Sequence, residues 1–235
     1  MIKKIIKILM ICSISTLYAY TIILPDNSIY DGGIKKGLFD GYGTEKWENG
    51  DFYEGGFSGG KYSGKGTLDK DGCVYKGDFK NGLFDGSGEI TYSNGIQYIG
   101  EFKKGMFDGK GKMILLDGTV FIGEFKENIK TGQGYLNKAN GDSYTGNFEN
   151  DLFNGKGVYK YSSGEKYIGE FKNGDFDGDG IIIKKNGKQR KVTFKDGSLI
   201  NTNPIKKETI LYLVIGILCI TNLILIKINF SKRRM

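Results

Sequence analysis

Tyr75–Gln97, YKGDFKNGLFDGSGEITYSNGIQ, contains five glycines and four aromatic residues. Glycine weakens helices and strands alike, whereas aromatic rings need a core to fill. The stretch recurs on both sides. Its leading aromatic falls at Tyr30, Tyr53, Tyr75, Tyr98, Phe121, Tyr144 and Tyr167, in steps of 23, 22, 23, 23, 23 and 23 residues. Self-similarity at a fixed short period marks a repeat architecture.

Within a copy the frame reads aromatic-x-Gly-x-Phe, then Gly, then Phe-Asp-Gly-x-Gly, then Asn-Gly or Asp-Gly. The Gly-x-Gly pair is kept in every copy, as Gly41 and Gly43, Gly64 and Gly66, Gly86 and Gly88, Gly109 and Gly111, Gly132 and Gly134, Gly155 and Gly157, and Gly178 and Gly180. The copies close on Asn49-Gly50, Asp71-Gly72, Asn94-Gly95, Asp117-Gly118, Asn140-Gly141, Ser163-Gly164 and Asn186-Gly187. Asn-Gly and Asp-Gly supply the positive φ angles of a two-residue hairpin loop at low cost. A second, looser turn is expected mid-repeat, around Asn81-Gly82. The chain is therefore expected to be all-β, an elongated, twisted antiparallel meander of hairpin repeats.

Side chains alternate across a strand. Tyr75, Gly77 and Phe79 then share one face, as do Phe84, Gly86 and Gly88, with Lys76, Asp78 and Lys80 on the other. A glycine on the inner face leaves a slot where a neighbouring ring lies over bare backbone. The aromatics expected to line a concave groove are Tyr53, Phe57, Tyr75, Phe79, Tyr98, Phe102, Phe125, Tyr144, Phe148, Tyr167 and Phe171.

The frame Tyr-x-Gly-x-Phe-x-x-Gly-x-x-x-Gly-x-Gly resembles the MORN repeat (membrane occupation and recognition nexus), in seven copies over residues 30–189. The second copy is one residue short before Gly72. The fifth has Asn128 and Lys130 for Gly and Phe, and the sixth has Asp151 for Gly. Residues 24–30, LPDNSIY, align with 92–98 as the end of an incomplete copy, and 190–199, RKVTFKDGSL, match the first half of another, with Val192 for the inner glycine. Half-copies suit caps, because interior repeats cannot bury their faces alone. Pro25 and Pro204, the only prolines, bracket the array.

The flanks point to a membrane. Residues 1–19 place Lys3, Lys4 and Lys7 before an apolar stretch from Ile8 to Ala19, the layout of a secretory signal. An uncleaved anchor from Ile8 to Leu24 is the alternative. Cleavage is preferred because Ile22 and Leu24 already fit the first half-repeat. Residues 210–226, ILYLVIGILCITNLILI, hold no charge and approach spanning length. The organisation expected is a signal over 1–19, the array over 20–200, a linker over 201–208, a transmembrane helix over 209–228 and a basic cytoplasmic tail over 229–235. The positive-inside rule then puts the array outside the cytoplasm, extracellular or periplasmic.

Charge fits that partition. The chain is +7 overall. Lys3, Lys4 and Lys7 carry +3, and residues 206–235 hold six bases and one acid. That leaves 25 Lys+Arg against 26 Asp+Glu in 20–205, a net −1. The basic balance is a topology signal and not a nucleic-acid footprint. Asp78, Glu101, Glu124 and Glu170, flanked by Lys80, Lys103, Lys126 and Lys172, suit cross-strand ion pairs on a solvated face.

No catalytic apparatus is evident. The chain has no His, which removes Ser-His and Cys-His pairs and every His-containing metal motif. Asp175, Asp177 and Asp179 faintly suggest a calcium loop, but Asp177-Gly178 is the repeat's own turn. Cys73 is the only thiol inside the array. No cofactor or metal is expected. The resemblance implies a non-enzymatic scaffold, with self-association, an unknown protein partner or phospholipid head groups as its contacts. A glycan- or peptidoglycan-binding module using the aromatic groove is the alternative, and a carboxylate-dependent hydrolase a remote third. Ring exposure separates the first two: packed rings favour a scaffold, and open ring faces favour sugar.

Overall fold

The computed structural model describes residues 8–9 and 20–204. The expected transmembrane helix and tail, and all of the expected signal except Ile8–Leu9, lie outside these residues. The described part is built of strands alone, and no helix in it is long and apolar enough to cross a membrane.

It divides into two compact units, meeting in the chain at Leu116 and Asp117. The first holds β1 (Ile8–Leu9), β2 (Tyr20–Ile23), β3 (Ile29–Lys35), β4 (Leu38–Lys46), β5 (Phe52–Ser58), β6 (Lys61–Lys70), β7 (Cys73–Lys80), β8 (Leu83–Tyr92), β9 (Gln97–Lys103) and β10 (Met106–Ile114). The second holds β11 (Val120–Lys126), β12 (Ile129–Asn137), β13 (Ser143–Glu149), β14 (Leu152–Lys160), β15 (Lys166–Lys172), β16 (Asp175–Ile183), β17 (Gln189–Lys195) and β18 (Ser198–Pro204). Within each unit every strand pairs antiparallel with the next, so each is a meander.

The two turn types fall the other way round from expectation. The mid-repeat turn is the tight two-residue one. Asn81 and Gly82 both have positive φ, 53° and 83°, and connect the paired residues Lys80 and Leu83. The Asn-Gly turn that closes a repeat is a three-residue loop. In the first copy Trp47 and Asp51 bracket it, the Gly50 N–H bonds back to the Trp47 carbonyl at 3.1 Å, and only Gly50 has positive φ. Asn49 instead accepts the Asp51 N–H on Oδ1, at 3.1 Å. Asn-Gly serves both loops, and loop length decides which forms. The short second copy shows this directly. With one residue fewer, Asp71 and Gly72 both take positive φ, and Lys70 pairs with Cys73 as in a two-residue hairpin.

The departures from the frame are absorbed locally. In the fifth and sixth copies Glu127-Asn128 and Asn150-Asp151 hold the mid-repeat turn without glycine, because Asn and Asp tolerate the left-handed region.

The paired glycines have two distinct roles. Across β7 and β8 the register runs Gly77 opposite Gly88, then shifts so that Phe79 faces Phe84. Asp78 is left facing the bulge Asp85–Ser87. Gly86 is the bulge residue, with φ of 119°. A Cβ on it would meet the Asp78 side chain at 2.7 Å, on the polar face. The expectation that Gly86 shares the inner face with Phe84 is therefore corrected: the bulge rotates it outward. Gly41, Gly64, Gly109, Gly132, Gly155 and Gly178 also have positive φ. The second glycine of each pair is the inner-face one. Through the first unit Gly32, Gly43, Gly55, Gly66, Gly77, Gly88, Gly100 and Gly111 stand directly opposite one another, strand after strand. In the second, Gly123, Gly134, Gly146, Gly157, Gly169 and Gly180 do the same, and Val192 ends the row.

The C-terminal half-copy extends further than expected. β18 pairs with β17 as far as Arg190 opposite Pro204, so residues 201–204 belong to the sheet and not to a linker. Asn201, Thr202 and Asn203 carry neither the glycine nor the ring of the frame, which hid the strand. Pro204, lacking an N–H, suits the end of a strand.

Candidate functional site

The core of each unit is a ladder of rings laid over the glycine row. A Cβ on Gly88 would lie 2.5 Å from Tyr75 Oη and 2.7 Å from Tyr75 Cε2, so only bare backbone fits beneath that ring. Tyr75 stacks on Phe84 with centroids 3.7 Å apart and planes 12° apart. Phe79 and Phe102 meet Tyr75 edge-on at 5.0 and 5.1 Å. Phe102 belongs to the following copy, so the ladder ties each repeat to its neighbour. Such pairs contribute about 0.5–1.5 kcal/mol each beyond the area they bury.

Tyr75 also donates its hydroxyl to the Asp78 carbonyl at 2.9 Å. Asp78 is the residue bypassed by the register shift, so the phenol satisfies a carbonyl that the bulge turns away. Tyr30, Tyr53, Tyr98, Tyr144 and Tyr167 bond the carbonyl three residues on in the same way. Burial raises their phenol pKa values, in Tyr30 and Tyr167 to about 12 and in Tyr53, Tyr75, Tyr98 and Tyr144 further. In the fifth copy Phe121 has no hydroxyl. Lys130 replaces the stacking ring there, with Nζ 5.7 Å from the Phe121 centroid and paired to Asp151 at 3.0 Å.

The sequence reading selected Tyr53, Phe57, Tyr75, Phe79, Tyr98, Phe102, Phe125, Tyr144, Phe148, Tyr167 and Phe171 as groove-lining rings. All are buried, at 4% exposure or less. They form a core and line no open groove. The reading passed over the rings that close it: Phe39, Tyr62, Phe84, Phe107 and Phe153 stack on Tyr30, Tyr53, Tyr75, Tyr98 and Tyr144 at 3.7–3.8 Å. The reading places Phe84 on the inner face but leaves its row out of the groove; the signal is the aromatic two residues before the first glycine of the Gly-x-Gly pair.

The Asp of Phe-Asp-Gly docks the next repeat. Asp85 accepts the Lys104 N–H at 3.2 Å while the Phe84 carbonyl accepts the Gly105 N–H at 2.8 Å. Asp177 repeats this with Asp196 at 3.0 Å and adds an ion pair to Lys195 at 3.1 Å. The Asp196 N–H first, then Lys195, hold the Asp177 carboxyl below its usual range. Asp179 accepts the Thr193 hydroxyl at 2.8 Å. Among the described residues no three acids or thiols stand together as a metal site. On the polar face Asp78 pairs with Lys65, directly opposite on β6, at 2.9 Å, and not with Lys80. Cys73 is half-buried beside the tight second-copy turn.

A glycine row beneath rings, renewed every repeat, defines an all-β repeat array whose core is built of recurring ring clusters. The MORN repeat model matches residues 30–52, 53–74, 75–97, 98–120, 121–143, 144–166 and 167–189, and the chain belongs to the MORN repeat family. A search of curated proteins gave no match. Among solved structures, similarity extends to the G-box domain of the microcephaly protein CPAP (14% identity, TM-score 0.47, 80% of this chain and 99% of that one). It extends also to the TCP10 domain of Danio rerio CPAP (14%, 0.44, 80% and 89%). A third is the Drosophila melanogaster SAS-4 TCP domain in complex with a proline-rich motif of Ana2 (13%, 0.42, 79% and 97%). Nothing about this chain rests on these likenesses.

Proposed function

We propose that the chain is a non-enzymatic, membrane-anchored scaffold that presents its repeat array outside the cytoplasm for assembly with protein partners. The observation that carries this reading is the burial of the rings. With the eleven rings committed to the core and Phe39, Tyr62, Phe84 and Phe153 half-buried over them, the surface left for contact is mainly the outer polar face and the two rows of turns. The ladder beneath holds these at a regular spacing, as a scaffold requires. A sugar-binding reading needs a ring with an open face; the eleven rings have none, and it would have to fall on half-buried outer rings such as Phe84. The anchor is read from the apolar stretch within 209–228 and the outside placement from its basic flank. Crosslinking with mass spectrometry on intact cells tests the proposal. Lysines of the outer face, such as Lys80 and Lys103, should link to a recurrent protein partner or to a second copy. Crosslinks confined within single chains would overturn it.

A further inference from the structure

Charge is segregated along the turns that close the repeats. The first three such turns, at 24–28, 47–51 and 69–73, hold Asp26, Glu48, Asp51, Asp69 and Asp71 against a single base, Lys70. Lys70 is occupied, with Nζ 3.9 Å over the Trp47 ring. The last turn, at 184–188, holds Lys184, Lys185 and Lys188, and Arg190 and Lys191 follow it on β17. No acid lies between Asp179 and Asp196. All five of these bases are exposed, as are Asp26, Glu48 and Asp71. Among the described residues none of the five acids or five bases is in an ion pair, although Lys65–Asp78, Lys130–Asp151 and Lys195–Asp177 form elsewhere on the array.

The basic cluster sits where the ring ladder stops. Arg190 occupies the frame position that Tyr holds in six of the seven full copies, and buried Val192 fills the place of the inner glycine. No ring needs a glycine slot there, so Val192 is tolerated and Arg190 is left exposed. The acidic cluster sits on the first copies. Both clusters lie on the same kind of element, a short hairpin loop fixed by the sheet.

We propose that the basic turn of one copy docks against the acidic turns of another, so that the array self-associates through complementary turns. This deepens the scaffold reading and rests on it. Complementary charge selects a second copy over other occupants. Asp26 and Asp51 accept hydrogen bonds within the turns, but an anionic membrane or polymer would answer the basic turn and leave Glu48, Asp69 and Asp71 unmatched, whereas one contact between copies uses both clusters. Each chain carries one cluster of each sign, so the contact either closes as a two-fold pair, with each basic turn on the other copy's acidic turns, or propagates as a ring or filament. Opposed charges at such a contact set orientation and exclude like-charged pairings.

The test uses the full chain in neutral detergent, followed by sedimentation velocity. The wild type should associate, and association should fall as salt rises from about 50 to about 500 mM, which shortens the screening length severalfold. The triple reversal Lys184→Glu, Lys185→Glu, Lys188→Glu should weaken association about tenfold or more. Glu48→Lys, Asp69→Lys, Asp71→Lys should do the same. Neither all-acidic nor all-basic chain should self-associate, yet an equal mixture of the two should associate. That rescue shows at once that both variants are folded. Association untouched by either reversal, no rescue on mixing, or a wild type that stays monomeric would each overturn the proposal. So would a basic turn whose reversal abolishes binding to phosphatidylglycerol vesicles while self-association persists. A monomeric wild type that still crosslinks to another protein in cells would sink docking between copies and leave the scaffold reading standing.

Discussion

Tyr75 covers Gly88 so closely that a β-carbon on the glycine would sit 2.5 Å from the phenol oxygen. Gly88 is extended and faces inward, so the obstacle is a ring and not backbone strain. Gly88→Val must displace Tyr75 from Phe84 and from the Asp78 carbonyl, and overpacking of this kind costs about 1–3 kcal/mol. Lys80→Ala on the exposed face should stay within about 0.5 kcal/mol. Denaturant unfolding of residues 20–204 should rank them in that order, with the damage confined to the third copy and its neighbours. Equal effects would mean that the glycines are not seats for rings.

The Tyr75 hydroxyl offers a second, finer test. Tyr75→Phe keeps the stack on Phe84 but strips the donor from the Asp78 carbonyl, which should cost about 1–3 kcal/mol if the carbonyl stays dry. The fifth copy runs the experiment in reverse. Phe121→Tyr would place a hydroxyl where the frame carries one, three residues before Glu124, and should stabilise by about 0.5–1.5 kcal/mol. Paired unfolding curves check both signs. A Phe121→Tyr array less stable than the parent would show that Lys130 over the ring has closed the space.

Much of this was legible in the sequence, and the misses share a cause. The period, the strands, the inward tyrosines and the half-copies follow from spacing alone. The swap of the two turns does not, because Asn-Gly fits a two-residue loop and the end of a three-residue loop equally well. Gly86 could not be told from Gly88, since alternation assumes an unbroken register and the bulge shifts it. The closed core was missed because Phe84 covers Tyr75 only after β8 folds back on β7. Pattern places a ring on a face, but the strand opposite decides whether that face stays open.

The mid-repeat turns predict a gain in stability. Lys104 has φ of 51°, as Asn81 has 53° in the equivalent place. The left-handed region costs an ordinary side chain about 1–2 kcal/mol, and Asn escapes part of that. Lys104→Asn should therefore stabilise the array by about 0.5 kcal/mol, read as a higher denaturant midpoint at unchanged slope. A lower midpoint would show that the lysine side chain makes a contact worth more than the backbone strain.

Topology is checked on cells. Protease added to intact cells, or to spheroplasts where an outer membrane is present, should digest the array and spare the tail at Lys232–Met235. Protection of residues 30–189 would overturn the outside placement.

Alkaline pH should unfold the array cooperatively, and the sign follows from the phenols. Tyr30 and Tyr167 have pKa values raised to about 12 by burial, and burial raises Tyr53, Tyr75, Tyr98 and Tyr144 as well. An unfolded tyrosine ionises near about 10. Below that pH both states hold the proton and the contribution is complete. Above it the unfolded chain releases protons that the folded chain keeps, so stability falls with each further rise in pH. Tyr30, Tyr53, Tyr75 and Tyr98 act in the first unit's ladder and Tyr144 and Tyr167 in the second's, which makes the loss steep within each. Tyrosinate absorbance and β-sheet circular dichroism should therefore change together above about pH 10. A graded rise in tyrosinate with the sheet signal intact would show that these phenols reach solvent in the folded array, which their hydrogen bonds to the bulge carbonyls forbid.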